Sequence, residues 1–280
     1  MKLSNMKYDT MELAERYDRI SDSQFERGSR LLEMMGVKKG NVVLDVGCGT
    51  GRLAIHASGV VGASGRIFGL DPSMYRVRVA KDKLKGLTND NVSLSQGRAE
   101  DLGVFQDGVF DHVYYSSVFH WVEDKSTALK EAYRVLKPGG KIGMTTGDRN
   151  NQAGLRALTD KVIARPPYKG HVRAEDDASK RVTRGELEGL LSAARFSDVR
   201  VTVQEKKRYY SSPNEAFEFS EASSFGNSLM HIPEDLRAQA MKDIAVELEK
   251  MRTAAGIELS STGMFVIAVK HSSTNNGSFQ

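Results

Sequence analysis

Residues 41–52, NVVLDVGCGTGR, run an apolar stretch, interrupted by Asp45, straight into three glycines at alternate positions. A strand without polar alternation is covered on both faces, which calls for helices above and below a sheet. The glycines then turn the chain, and the following RLAIHAS places apolar residues at helical spacing. Strand, glycine turn and helix in succession commit this part of the chain to a parallel α/β sheet.

The theme repeats at regular intervals. RIFGLD (66–71), NVSLSQG (91–97), FDHVYYSS (110–117) and KIGMTTG (141–147) read as further strands. They alternate with the helix-like MYRVRVAKDKL and KSTALKEAYRVL. In the second of these Ala128, Leu129, Ala132, Val135 and Leu136 form one apolar stripe. KPGG ends it, its proline and paired glycines turning the chain toward the next strand. The second half is less regular. Residues 148–182 read as a mobile excursion, and TRGELEGLLSAARF opens a helix with the capping box Thr183-x-x-Glu186. DVRVTVQEKKRYY and GMFVIAVK read as two late strands. Helix-like pieces at about 213–224 and 234–254 lie between them, a place that predicts a cap over the sheet's edge. The chain thus divides into an N-terminal helical lid (1–36), a core (37–147), the rest of the sheet with helical cap insertions (148–271) and a flexible tail (272–280).

Composition narrows the function classes. A net charge of +4 over 280 residues, without a concentrated basic stripe, argues against nucleic acid. No apolar run approaches the roughly 20 residues of a membrane span, and Met1 to Tyr17 has no signal-peptide core. Cys48, the single cysteine, excludes an internal disulfide or a cysteine-based zinc cluster and suits a reducing cytoplasm. The six histidines show no metal spacing such as HExxH, so no metal is expected.

The glycine loop narrows the ligand. Gly47, Gly49 and Gly51 let backbone approach a bound molecule, and the helix that follows offers its first amides. A dinucleotide fingerprint would place its third glycine at position 52, which is Arg52. That disfavours the alternative of an NAD-dependent oxidoreductase. Asp45 just upstream favours a ligand carrying an ammonium, and a plain tight turn is the bland reading. Asp71, closing GLDPS, can accept hydrogen bonds from both ribose hydroxyls or can cap the helix that Pro72 opens. A non-catalytic cofactor-binding protein would be expected to have lost the loop or Asp71, and both are intact.

LDVGCGTG, GLDPS, QGRAEDL, FDHVYYSSVFHWV and EAYRVLKPGG together resemble, in order and spacing, the class I S-adenosylmethionine-dependent methyltransferases. The likeness covers roughly residues 37–147 and resumes weakly at the last two strands. It implies a doubly wound, Rossmann-like sheet of seven strands, mostly parallel with an antiparallel last strand. It also implies S-adenosyl-L-methionine as cofactor. Carried over position by position, Asp45, Gly47, Cys48, Gly49 and Gly51 would line the methionine part and Asp71 would hold the ribose. Ser73 or Met74 would lie against the adenine, with Ala99 and Glu100 at its edge. Arg98 stands where many relatives have an aspartate, which leaves the adenine amino contact to Glu100 or to a backbone carbonyl.

Methyl transfer needs a nucleophile held in line, and a base only where that nucleophile arrives protonated. YYSSVFHWVED follows the fourth strand, whose end faces the cofactor in such sheets, so Ser116 sits beside it. His120 is the candidate base or orienter, or else a wall residue; Trp121 reads as pocket wall. The His-Trp pair resembles that of small-carboxylate methyltransferases such as those acting on trans-aconitate. The overall set looks like the ubiquinone/menaquinone C-methyltransferases. The acceptor implied is a small molecule, methylated at a carboxylate oxygen or a quinone or enol carbon. Tyr17 in ERYDRIS is a candidate lid over the cofactor with a catalytic role, while Tyr209, Tyr210 and Phe225 are candidates for the substrate side. Asn227 and His231 read as cap residues, solvated or packed. RPPY (165–168) is similar to the Asn-Pro-Pro-Tyr motif of adenine methyltransferases but falls at the wrong place in the fold. Cys48 reads as a small filler, not a nucleophile.

Overall fold

The computed structural model describes residues 6–86, 90–150, 154–171 and 180–271. The expected tail lies outside them. Seven strands run in the order β3 (Val92–Gln96), β2 (Arg66–Asp71), β1 (Val42–Val46), β4 (Phe110–Ser116), β5 (Leu136–Gly147), β8 (Gly256–Lys270), β6 (Phe196–Tyr210). β1 to β5 are mutually parallel, and β8 is antiparallel to both β5 and β6. An eighth, two-residue strand, β7 (Arg252–Thr253), pairs only with β8. The seven-stranded, doubly wound sheet expected from the sequence is therefore present, with a short hairpin added.

Alternation along the central strands divides two cores. Leu44, Val113 and Tyr115 face a cluster that includes Leu129 of α5 (Lys125–Val135) and Leu187 and Leu191 of α7 (Arg184–Ala193). Val43 and Tyr114 face the opposite cluster. It holds Leu31 and Met35 of α2 (Asp22–Met35), Ala54 of α3 (Arg52–Val61) and Ala80 of α4 (Met74–Leu84). α2 is thus built into the helical layer, whereas α1 (Met11–Ile20) packs across α4 and the cap. No helix among the described residues is long and apolar enough to cross a membrane.

A third core belongs to the cap. It joins α6 (Leu155–Ile163), α8 (Pro213–Ser223) and α9 (Glu234–Glu249) to Tyr210, Ile257 and Leu259. The last three lie where β6 and β8 continue as a two-stranded ribbon past Gly147, the end of β5. Several boundaries differ from those expected. The excursion at 148–182 contains α6, whose Val162 and Ile163 are buried in the cap. The helix expected to reach 254 stops at Glu249, because the chain enters the β7 hairpin, where Thr253 Oγ1 donates to the Gly256 carbonyl. The KPGG segment belongs to β5, since Leu136 already pairs with Phe110.

RPPY has a structural role. Tyr168 is buried at 1% exposure and its hydroxyl donates to Asp243 Oδ2 on α9 at 2.6 Å. Tyr168→Phe should cost about 1–2 kcal/mol, lowering the melting temperature by a few degrees. Cofactor affinity by calorimetry should stay unchanged.

Candidate active site

The site is built where the chain leaves β1. The amides of Gly47 and Cys48 both donate to the Leu70 carbonyl, at 2.6 and 2.9 Å, pinning the glycine loop to β2. Gly47 has φ +80°, and a Cβ there would lie within 2.9 Å of Val118 Cβ, overlapping that side chain. Val118 is brought there by Ser117, a non-glycine residue at φ +59°. Its strained backbone is held by its own amide, which donates to the Thr145 carbonyl (3.0 Å) and Oγ1 (2.9 Å). Gly28 of α2 lies against the same strand tip, where a Cβ would come 2.9 Å from Ser116 Oγ.

Two buried aspartates face the cavity beside this loop. Asp71 accepts from the Gly49 amide through Oδ2 and from the Ser73 amide through Oδ1, both at 2.9 Å. It does not cap α4. Ser73 does, its Oγ accepting from the Arg76 amide at 3.0 Å and donating to Asp9 Oδ2 at 2.6 Å. Asp45 Oδ1 has no hydrogen-bond partner. Burial pushes its pKa up to about 8; the cross-strand Tyr114 hydroxyl opposes that rise and Asp71 adds to it. Asp71 is also raised, again chiefly by burial. A buried orphan carboxylate beside a side-chain-free turn suits a ligand that is cationic at one end and slender there.

From the loop a cavity of about 370 Å³ runs past Ser116, Ser117, His120 and Trp121 toward Thr146 and the cap. Trp121 packs edge-on against Phe225 at 5.4 Å. The Arg76 guanidinium lies between Phe225 (3.8 Å) and Tyr17 (4.2 Å), and donates to the Ala222 carbonyl at 2.9 Å. This stack ties α1, α4 and α8 over the glycine loop. Arg76 was not anticipated; the signal was a cation at the i−4 position to Ala80 on the buried side of α4. Arg52, which breaks the dinucleotide fingerprint, pairs with Asp22 at 2.6 Å and stacks on Phe25, fastening α2 to α3.

His120 Nδ1 is buried and makes no hydrogen bond. Burial drives the imidazole well below its usual pKa, with Arg181, Lys125, Arg27 and Arg156 adding to the effect, so it is neutral near pH 7. Burial likewise pushes the Cys48 thiol well up, which fits a filler and not a nucleophile. Of the residues singled out in sequence, Tyr17, Asp45, Gly47, Cys48, Gly49, Asp71, Ser116, His120, Trp121, Tyr210 and Phe225 line this cavity. Gly51, at φ +77°, closes the loop beneath it against Ala80. Tyr209 does not line it: strand alternation turns its side chain outward, 44% exposed, while Tyr210 points in. Met74 is 60% exposed, Ser73 is taken up by Asp9 and Arg76, and Ala99 lies in the α5-side core. Glu100 accepts from the Glu123 amide at 3.1 Å and is 3.6 Å from Arg98. These four stand outside the cavity lining.

Because the folded pKa of Asp45 exceeds its unfolded value, its contribution to stability is full below about pH 4. That contribution is lost as pH rises toward 8. Asp45→Asn should flatten this slope and stabilise the ligand-free protein by several kcal/mol at pH 8, read by denaturant titration across pH 5–8.

A methyltransferase-domain family matches residues 44–144. The demethylmenaquinone methyltransferase of Geobacillus sp. (strain WCH70) is 33% identical over 181 residues, covering 61% of this chain and 76% of that protein. The enzyme of the same name from Staphylococcus aureus (strain JH9) is 39% identical over 135 residues, 46% of this chain and 55% of that one. The chain therefore spans between about half and three quarters of these relatives' length. Solved structures share the fold. YcgJ of Bacillus subtilis aligns with a TM-score of 0.59 at 19% identity, covering 87% of this chain and 97% of that one. Phosphoethanolamine N-methyltransferase 2 of Haemonchus contortus, in complex with S-adenosyl-L-methionine, aligns with a TM-score of 0.56 at 20% identity over 88% and 52%. With the ordered motifs, the sheet and the glycine-loop cavity, these matches show that the chain belongs to the class I S-adenosylmethionine-dependent methyltransferases.

Proposed function

We propose that the enzyme methylates a carboxylate oxygen or an enol or quinol carbon of a small organic acceptor seated between Ser116–Trp121 and the cap. The observation that carries this reading is the single continuous cavity joining the glycine loop to His120. When bound, S-adenosylmethionine supplies an electrophilic methyl group on a sulfonium sulfur. The protein's task is then to hold an electron-rich atom in line and to exclude water. The likeness to demethylmenaquinone methyltransferases favours quinone C-methylation among these readings.

Each residue takes a role that its present contacts allow. Asp45, with its free Oδ1, would favour the ammonium of the cofactor's methionine part, and the Gly47–Gly51 backbone would lie along it. Asp71 accepts only two amides and has lone pairs left for two ribose hydroxyls. Tyr17, clamped by Arg76, closes over the loop, its hydroxyl held protonated by burial. His120, already neutral, can take a proton from an enol through Nδ1 or orient a carboxylate that needs no base. Trp121, Phe225 and Tyr210 would wall the acceptor. A single buried cysteine suits a reducing compartment, and the cytoplasm is the proposed location.

Asp71→Ala should weaken S-adenosylmethionine binding at least tenfold by calorimetry; unchanged affinity would overturn its ribose role. NADH binding in place of S-adenosylmethionine would sink the whole reading. His120→Asn should lower turnover tenfold or more with cofactor affinity within twofold and little change in melting temperature. Because the His120 pKa is depressed, the wild-type rate should show no histidine-type loss between pH 8 and 6. A rate that falls through pH 6.5 and is restored to a flat profile in the variant would count against it.

A further inference from the structure

Arginine is the only basic residue type besides His120 among the described residues lining the cavity, and it occurs six times. Two of the six are committed to architecture: Arg52 pairs with Asp22, and Arg76 fills the Tyr17–Phe225 sandwich. The other four, Arg27, Arg156, Arg181 and Arg208, come from α2, α6, the segment before α7 and the β6 ribbon. Arg27, Arg156 and Arg181 lie toward His120, and Arg208 lines the same cavity against Ile20 and Phe219. A Cβ on Gly147, at the end of β5, would lie 3.3 Å from the Arg181 Cζ. One on Gly263, across β8, would lie 2.8 Å from the Arg27 Cζ. Arg27, Arg156 and Arg181 are all close enough to His120 to depress its protonation.

Two of these guanidiniums have donors to spare. Arg27 Nη2 and Arg208 Nη1 are buried and make no hydrogen bond. Both groups are nevertheless held in place. Arg208 lies 3.7 Å from the Phe219 ring and donates through Nη2 to the Ile20 carbonyl, and Arg27 packs 5.7 Å from the Phe265 ring. The only carboxylates lining the cavity among the described residues are Asp45 and Asp71, at the cofactor end. Ten serines and four threonines line the same cavity. A buried guanidinium donor without an acceptor is costly, and the planar fork matches carboxylate and phosphate oxygens two at a time.

We propose that the arginine wall is an anion subsite, holding a carboxylate or phosphate of the acceptor while another acceptor atom faces the methyl donor beside His120. The proposal rests on the methyltransferase reading and narrows it: the acceptor is an anion anchored by Arg27 and Arg208, with Arg156 and Arg181 raising the local positive potential. The group that the wall holds need not be the group methylated.

The test is titration calorimetry on the full chain saturated with S-adenosylhomocysteine, using glutarate, inorganic phosphate and the neutral glutaramide as probes. At least one anion should bind tenfold or more tighter than glutaramide, and its affinity should fall as sodium chloride is raised. Which anion binds better assigns the subsite to carboxylate or to phosphate. Arg27→Gln and Arg208→Gln should each weaken that anion at least tenfold while leaving S-adenosylhomocysteine affinity within twofold. If S-adenosylhomocysteine binds but neither anion exceeds glutaramide, the proposal is overturned; it is equally overturned if both variants keep the wild-type anion affinity. Failure of S-adenosylhomocysteine to bind the wild-type chain would instead overturn the underlying reading, and the subsite with it. The comparison of anion with amide in the wild-type protein stands even if a variant fails to fold.

Discussion

The site depends on one crowded contact: the turn out of β1 passes directly beneath Val118, with no room for a side chain between them. Because Gly47 and Cys48 also share the Leu70 carbonyl, the loop is fixed from below by β2 and from the side by the end of β4. Three strands therefore set the position of one peptide. That rigidity is what leaves Asp45 Oδ1 buried beside it without a hydrogen-bond partner. A softer loop would move to solvate Asp45 or to donate to it, and the electrostatic hunger of the site would be spent internally.

The closing elements are held by a different kind of force. Arg76 rises from α4 between the Tyr17 ring of α1 and the Phe225 ring just past α8, so a single cation joins three parts of the chain. Around it, Asp9 meets Ser73, Asp18 meets Lys83 at 2.5 Å, and Asp22 meets Arg52. Each of these partners in the core belongs to α3, α4 or the turn before α4. The segment from Asp9 to Asp22 is thus tied through polar and cation–π contacts, which can be exchanged with water more readily than an apolar seam.

How much of this was legible depended on whether local pattern or tertiary packing made the decision. β2 and α4 came out of the sequence with their boundaries intact, because apolar runs, Asp71 and Pro72 mark them locally. The turn out of β1 was equally legible, since its three glycines stand together just past Asp45. Tyr209 was misplaced because two adjacent tyrosines cannot be told apart until strand register assigns them opposite faces. α6 was missed because a segment rich in arginine, proline and glycine hides a single short apolar stripe that has meaning only against α9. The arginines were invisible as a group for the same reason. They are scattered over residues 27 to 208, and nothing but the fold brings them to one wall.

The ribbon formed by β6 and β8 beyond the end of β5 gives the molecule a division of labour. Ser260, Ser261 and Thr262, with Arg208 and Tyr210, line the cavity from that overhang, whereas its glycine-loop end is made by β1, β2 and β4. The family match runs from 44 to 144 and stops before the overhang begins. Lengthening, shortening or re-twisting a two-stranded arm changes the shape of the chamber without disturbing the parallel strands that carry the glycine loop. A new acceptor can therefore be accommodated by remodelling one antiparallel arm, with the crowded turn at Gly47 left as it is.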